Sequence, residues 1–229
     1  MLAQLGYGLG LGSAGLHFHY LLNPGSSYRS HTLFTISKCV PILLLAHQVH
    51  RSKDQKALRH KTAAIATGLT LSALGDAFLA VEDLHPSLFT AGLASFLAAH
   101  ISYIVGFKSP RSKHWGWTLA TAVGLSGSIA ALIVPSTPWD LKAPVAVYIG
   151  VLGSVIWNSL DAAVADTRRS GLKRWSGVIG ALLFAASDSI LAYDKFKHPF
   201  ATSALYVMGT YYSSQYFIAQ YAVNRKSDE

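Results

Sequence analysis

Eight long apolar segments follow one another along the chain, each close to the roughly 20 residues that a helix needs to cross a bilayer. Short connections with proline, glycine or charged residues separate them. The segments cover residues 3–22, 30–49, 62–81, 87–106, 115–134, 142–161, 175–194 and 201–222. The pattern predicts an all-α integral membrane protein, with eight transmembrane helices forming a single domain over residues 1–229.

Composition favours the bilayer as the solvent of this chain. Of its 229 residues, 51% are hydrophobic and only 13% are charged, whereas ordinary soluble domains carry about 25% charged residues. The single cysteine, Cys39, excludes an intrachain disulfide. No cleavable signal peptide is expected, because residues 1–22 lack a basic start.

The basic residues cluster in short connections, which is typical of membrane orientation rather than of nucleic acid binding. Fourteen of the 19 lie on one predicted side: Arg51, Lys53, Lys56, Arg59, Lys61, Lys108, Arg111, Lys113, Arg168, Arg169, Lys173, Arg174, Arg225 and Lys226. The other side takes Arg29, Lys142, Lys195 and Lys197, and Lys38 lies inside a segment. We therefore expect both termini in the cytoplasm and no nucleic acid partner.

Two aspartates interrupt the apolar segments. Asp76 lies in LSALGDAFLAV and Asp188 in LLFAASDSILAY, and a carboxylate near the middle of a bilayer costs about 2.5–3.5 kcal/mol. Each follows a small residue and precedes a small residue, a bulky apolar residue, leucine and alanine. The two positions are 112 residues apart, about half the chain. This match suggests a duplicated four-helix unit, at about 1–110 and 111–229.

Other polar side chains are also expected inside the membrane. At about 1.5 Å per residue, Lys38 and Tyr148 fall in one layer with the two aspartates. A deeper set consists of His100, Tyr103, Tyr211, Tyr212 and Gln215. The remaining histidines fall near segment ends and give little indication of chemistry. Pro41 should free a backbone carbonyl near Lys38. A polar cavity with an acidic upper layer fits these depths.

Plainer interpretations stay open. Lys38 can pair with Asp76 for helix packing alone, and His100 can be a hydrogen-bonded packing residue. The tyrosines can be interfacial aromatics, and Gln215 can bridge helices. No metal is predicted, because the sequence lacks ligand spacings such as HxxxH. It also lacks a GxSxG nucleophile elbow, a phosphate-binding glycine loop and a Ser/His/Asp triad pattern.

Weak motifs in a specific order cover nearly the whole chain. They are Lys38-x-x-Pro41, Gly75-Asp76-x-x-Leu79, Phe96-x-x-Ala99-His100-x-x-Tyr103, Tyr148, the 180–192 segment around Ser187-Asp188, and Tyr211-Tyr212-x-x-Gln215. In these motifs the chain resembles the YhhN-like lysoplasmalogenases, multispanning membrane proteins that hydrolyse the vinyl ether bond of lysoplasmalogens. The resemblance implies an eight-helix fold, an endoplasmic reticulum location in eukaryotes and a lysophospholipid substrate.

Hydrolysis of a vinyl ether by acid passes through an oxocarbenium ion and needs one protonated carboxyl and one ionised carboxylate, as in glycosidases. We therefore predict that Asp76 and Asp188 form an acid/base dyad that shares one proton, with no cofactor. Substrate-binding or supporting roles are predicted for Lys38, His100, Tyr103, Tyr148, Tyr211, Tyr212 and Gln215. Lys38 either binds the phosphate or tunes the dyad, and the sequence does not assign the acid.

Two other classes compete. Intramembrane aspartyl proteases also use paired membrane aspartates, but they carry a GxGD element where this chain has Ala73-Leu74-Gly75-Asp76. A proton-coupled transporter would suit the repeat and the buried acids, although matched broken helices are not evident.

Overall fold

The computed structural model describes residues 2–23, 30–52 and 59–224, which form eight α-helices. They are α1 (Leu2–Leu22), α2 (His31–Arg51), α3 (Arg59–Ala80), α4 (Ser87–Phe107), α5 (Trp115–Ile133), α6 (Trp139–Ala165), α7 (Gly171–Phe196) and α8 (Ser203–Asn224). The predicted all-α class is confirmed, and each apolar segment corresponds to one helix. Helices α6 and α7 extend past their apolar segments at both ends, because helical hydrogen bonding continues into the polar flanks. Arg29, Lys53, Lys56, Arg225 and Lys226 of the predicted charge pattern lie outside the described residues.

Helices α2 to α7 are long and apolar enough to cross a membrane, α5 together with the 3₁₀ turn that follows it. This set supports an integral membrane protein. Helices α1 and α8 are similarly long but lie outside this set; α1 contains His17 and His19, and α8 contains Gln215, Gln220 and several tyrosines. Leucines such as Leu43 are exposed on the outer faces, as expected for surfaces that meet lipid.

The chain forms two compact units, Met1–Ser102 and Tyr103–Glu229, so the boundary falls inside α4. In the first unit, α1 packs on α2 and α2 packs on α3. Ser95 Oγ of α4 donates to Leu71 O of α3 over 2.8 Å. The Phe96 ring covers Gly75, where a Cβ atom would lie 2.7 Å from a ring carbon. Glycine beside Asp76 is therefore what lets α4 approach α3 at this level. The internal repeat stays a prediction.

In the second unit, α5 packs on α6, α6 on α7, and α7 on α8. Two serine hydroxyls join α7 to α8: Ser187 Oγ donates to Val207 O over 3.0 Å, and Ser214 Oγ donates to Gly180 O over 2.8 Å. Because residue 187 lies beside 207 and residue 180 beside 214, the two helices run antiparallel. A Cβ atom on Gly180 would lie 2.7 Å from Ile218. Small residues allow this close approach, on which helix association in lipid depends.

Candidate active site

Lys38 and Asp76 form an ion pair between α2 and α3. Lys38 Nζ lies 3.5 Å from Asp76 Oδ1, and the two side chains are 12% and 3% exposed. The pairing that the sequence left open is therefore present, while the role of Lys38 stays a prediction. An isolated buried charge is costly, and a partner of opposite charge at this distance offsets part of that cost.

Pro41 shapes α2 one turn after Lys38. Proline has no N–H, so the carbonyl four residues earlier, at Ser37, lacks its helical donor. Ser13 of α1 supplies the replacement, since its Oγ donates to Ser37 O over 3.2 Å. The predicted freed carbonyl thus exists, and it ties α1 to α2 beside Lys38.

In the first unit, the buried histidines His100 and His17 each donate a hydrogen bond through Nδ1. His100 Nδ1 lies 2.7 Å from Phe96 O, and a carbonyl only accepts, so this nitrogen carries a proton. His17 Nδ1 lies 3.1 Å from Ser37 Oγ, whose own proton goes to Phe34 O. His17 Nδ1 is therefore also the donor. Sequence reasoning gave His17 no role, because it lies close to the end of its segment, yet it is fully buried.

Asp188 has a different partner in the second unit. The Tyr148 hydroxyl of α6 donates to Asp188 Oδ2 of α7 over 2.7 Å. Tyr148 is buried, while Asp188 is only partly buried. The sequence predicted that these two residues lie in one layer, and the structure joins them directly. Asp188 thus accepts a hydrogen bond from a neutral hydroxyl of the neighbouring helix.

The deeper polar residues of the second unit also meet. The Tyr103 hydroxyl donates to Gln215 Oε1 over 2.7 Å, and both residues are fully buried. The Phe184 ring packs edge-on against Tyr103 and Tyr211, with centroids 6.4 and 5.6 Å away. The Tyr211 and Tyr212 rings lie 5.8 Å apart. The predicted supporting residues of the second unit's α4 and α8 portions therefore form one aromatic and polar cluster with Phe184 of α7, which was not predicted.

The structure thus sorts the predicted site residues into two sets. The first unit holds Lys38, Asp76 and His100, and the second holds Tyr103, Tyr148, Asp188, Tyr211, Tyr212 and Gln215. The pairing of the two aspartates, and their common depth, stay predictions. Among the described residues, no three His, Cys, Asp or Glu side chains form a group that could hold a metal ion.

A third buried carboxylate, Asp161 of α6, escaped the sequence analysis. It accepts hydrogen bonds from Ser112 Oγ at 2.5 Å, from the Ser112 amide at 3.3 Å and from Thr118 Oγ1 at 3.2 Å. Arg111 Nη1 lies 3.6 Å away, and the Arg111 guanidinium stacks 3.8 Å above the Trp157 ring. Asp161 is the last residue of its apolar segment, and the sequence analysis gave it no role. These contacts join the α4–α5 connection and the first turn of α5 to α6.

Known proteins support the sequence-based family. The chain matches the YhhN family over residues 33–222. Human lysoplasmalogenase TMEM86A is 35% identical over 202 residues, which cover 84% of this chain and 79% of the human protein. Human lysoplasmalogenase TMEM86B is 31% identical over 182 residues, covering 79% and 71%. A lysoplasmalogenase of Mycobacterium bovis is 29% identical over 207 residues, covering 85% and 70%.

The chain belongs to the YhhN family. The match begins at residue 33, so it includes both aspartates, Lys38 and Tyr148, while α1 with its buried His17 lies before it. No solved structure matches the chain.

Proposed function

We propose that this YhhN-family protein hydrolyses the vinyl ether bond of a lysoplasmalogen. It is an enzyme of the lysoplasmalogenase class, like the relatives that carry that name. The products are a fatty aldehyde and glycerophosphocholine or glycerophosphoethanolamine. One observation supports the mechanistic part of the proposal: each aspartate has a polar partner on a neighbouring helix, the Lys38 ammonium at Asp76 and the Tyr148 hydroxyl at Asp188.

The reaction needs a proton on carbon. Protonation of the outer vinyl carbon converts R–CH=CH–O–R′ into an oxocarbenium ion. Water adds to the inner carbon and loses a proton, and the hemiacetal then collapses to R–CH₂–CHO and HO–R′. A neutral carboxyl must therefore give a proton, while a carboxylate stabilises the cation and takes the proton from water.

We infer which residue takes each role from the contacts of the two aspartates. Asp76, beside the Lys38 ammonium at 3.5 Å, is the ionised member that stabilises the cation and accepts the proton from water. Asp188 is the general acid: Tyr148 binds one of its oxygens and so fixes the direction in which the other oxygen presents its proton. Lys38 then tunes the dyad instead of binding the phosphate.

The same proposal includes the membrane arrangement. All eight helices span the bilayer, including the more polar α1 and α8, both termini face the cytoplasm, and the protein resides in the endoplasmic reticulum membrane. The positive bias of the connections on one side supports this orientation. Tags at both termini should be accessible to antibody after selective permeabilisation of the plasma membrane. A lumenal tag at either end would contradict the eight-span arrangement.

The activity itself is tested with purified protein and one defined substrate. Incubation with a lysoplasmalogen should release fatty aldehyde and the glycerophospho headgroup in equal amounts. The matched control is the saturated 1-alkyl ether lysolipid, which has no vinyl carbon to protonate and should remain intact. Failure to release aldehyde would contradict the proposed function, whereas cleavage of a peptide substrate or proton-coupled uptake would favour one of the competing classes.

A further inference from the structure

One polar nitrogen in the middle of α8 is buried without a hydrogen-bond partner. Gln215 is fully buried, and its Oε1 accepts the Tyr103 hydroxyl. Its Nε2 makes no hydrogen bond to any residue that the structure describes. A buried N–H group without an acceptor is unfavourable, because it has lost water and gained nothing. Such a group is suited to an acceptor that a ligand brings.

The surroundings restrict the acceptor to a neutral oxygen. Gln215 lies in the middle of Ser203–Asn224. In the described part of the second unit, every lysine and arginine lies in a connection or in the first or last turn of a helix. A phosphate at the level of Gln215 would therefore find no cation in the described part of this unit, and an uncompensated buried charge is costly. A hydroxyl oxygen can be accommodated by the amide alone.

The two serine bonds between α7 and α8 fix how far Gln215 lies from Asp188. Gln215 is next to Ser214, whose hydroxyl bonds Gly180 O. Asp188 is next to Ser187, whose hydroxyl bonds Val207 O. At about 1.5 Å per residue, the two Cα atoms are separated by about 13 Å along the helix axis. In antiparallel helices the two Cα–Cβ bonds tilt towards each other, which brings the amide and the carboxyl to roughly 6–8 Å apart along the axis.

That interval matches the glycerol of a lysolipid. From the outer vinyl carbon to the oxygen on C2 of glycerol there are five bonds, about 6 Å when extended. The vinyl ether oxygen itself is a poor acceptor, because its lone pair is delocalised into the double bond. The C2 hydroxyl is the neutral oxygen that remains within reach of the amide when the vinyl carbon lies at Asp188.

Building on the proposed vinyl ether hydrolysis, we infer that Gln215 donates a hydrogen bond to the free C2 hydroxyl of the lysophospholipid. Tyr103 holds the amide in the donating orientation and is thus a positioning residue. The pair selects a substrate with a free C2 hydroxyl, because an acyl group at that oxygen would have to enter the buried space beside the amide. Gln215 is therefore a specificity-determining residue of the site.

The test is a cycle of two substrates and two enzymes. The substrates are a lysoplasmalogen and its 2-deoxy analogue, which lacks only the C2 hydroxyl, and the enzymes are the parent protein and Gln215→Leu. We expect kcat/KM for the hydroxylated substrate to fall about 10- to 100-fold in the variant, with the 2-deoxy analogue nearly unaffected. An equal fall for both substrates would overturn the inference, since it would indicate packing or a bound water.

Matched variants keep the result interpretable. Gln220→Leu changes a partly exposed glutamine on the same helix and should leave both substrates unaffected. If Gln215→Leu does not fold, Gln215→Met conserves the side-chain length and is used in the same cycle. Tyr103→Phe should also lower the ratio of kcat/KM between the hydroxylated substrate and its 2-deoxy analogue, but by a smaller factor than Gln215→Leu. Unchanged discrimination in Gln215→Met would contradict the inference.

A binding measurement separates this inference from the proposed function. The saturated 1-alkyl lysolipid and its 2-deoxy counterpart are titrated into the parent protein and into Gln215→Met. Tighter binding of the hydroxylated lipid by about tenfold, lost in the variant, would support the inference even if no vinyl ether is cleaved. Equal binding of both lipids by the parent protein would overturn it even if vinyl ether cleavage is observed.

Discussion

The two aspartate regions share one pattern of small, acidic and apolar residues, but each aspartate contacts a different kind of side chain. In the first unit, Asp76 is fully enclosed and paired with the Lys38 ammonium. In the second, Asp188 is partly buried and bound by the Tyr148 hydroxyl. An ammonium stabilises an ionised carboxylate, whereas a hydroxyl can hold a neutral carboxyl in place. In the proposed mechanism, such a difference between neighbours would give the two aspartates different chemical roles.

The largest expected effect comes from removing either carboxyl. Asp76→Asn and Asp188→Asn should each lower kcat for lysoplasmalogen at least about 100-fold, because general acid–base groups contribute ~10²–10⁴-fold. Asp140→Asn, an exposed aspartate in the first turn of α6, is the matched control and should keep full activity. Either site variant retaining more than about a tenth of the parent rate would remove that residue from the dyad.

The second prediction concerns the positive charge of Lys38 beside Asp76. Lys38→Met should lower kcat at neutral pH by on the order of 100-fold with little change in KM. The acidic limb of the pH–rate profile should move to higher pH, because ionising Asp76 becomes harder without the neighbouring positive charge. Lys38→Arg keeps the charge and should retain most of the activity. An elevated KM with an unchanged pH profile would instead indicate phosphate binding by Lys38.

Loss of the tyrosine hydroxyl should weaken the second region alone. Tyr148→Phe removes the hydrogen bond to Asp188 but keeps the ring, so we expect kcat to fall on the order of tenfold with KM nearly constant. The control is Tyr206→Phe, at an exposed tyrosine of α8. If Tyr148→Phe behaves like the control, the orientation of Asp188 does not depend on this bond.

The third buried carboxylate should affect stability and not chemistry. Asp161→Ala removes the acceptor of the Ser112 hydroxyl and amide, which should lower the free energy of unfolding by about 1–3 kcal/mol. The thermal midpoint in detergent measures this loss, and kcat per folded molecule should stay constant. A large loss of kcat in folded protein would instead indicate that Asp161 takes part in the reaction, although it lies outside the two matched motifs.

Much of this arrangement follows from the sequence because its signals are local. Apolar segment length predicts each helix, and Pro41 predicts the free carbonyl that Ser13 satisfies. The Lys38–Asp76 pair could also be considered from the sequence, because a buried charge is costly unless an opposite charge at similar depth lies close to it. The residues that sequence reasoning missed, His17 and Asp161, lie near segment ends. Their burial depends on partners in another helix or connection.

The pairing of Tyr103 with Gln215 was missed for a related reason. Both residues were recognised as supporting groups, but 112 residues separate them, and a hydroxyl and an amide can each bind many partners. Periodicity places such side chains on a helix and at a depth. It does not assign which donor meets which acceptor, which is why the sequence left the acid and the base unassigned.

Infrared difference spectroscopy tests the division between the two aspartates most directly. A protonated carboxyl has a carbonyl stretching band that is separate from the bands of carboxylates, and the comparison uses the parent protein, Asp76→Asn and Asp188→Asn at neutral pH. We predict that the band of a buried protonated carboxyl is present in the parent and in Asp76→Asn and absent in Asp188→Asn. A band that persists in Asp188→Asn and disappears in Asp76→Asn would contradict the assignment of Asp188 as the acid.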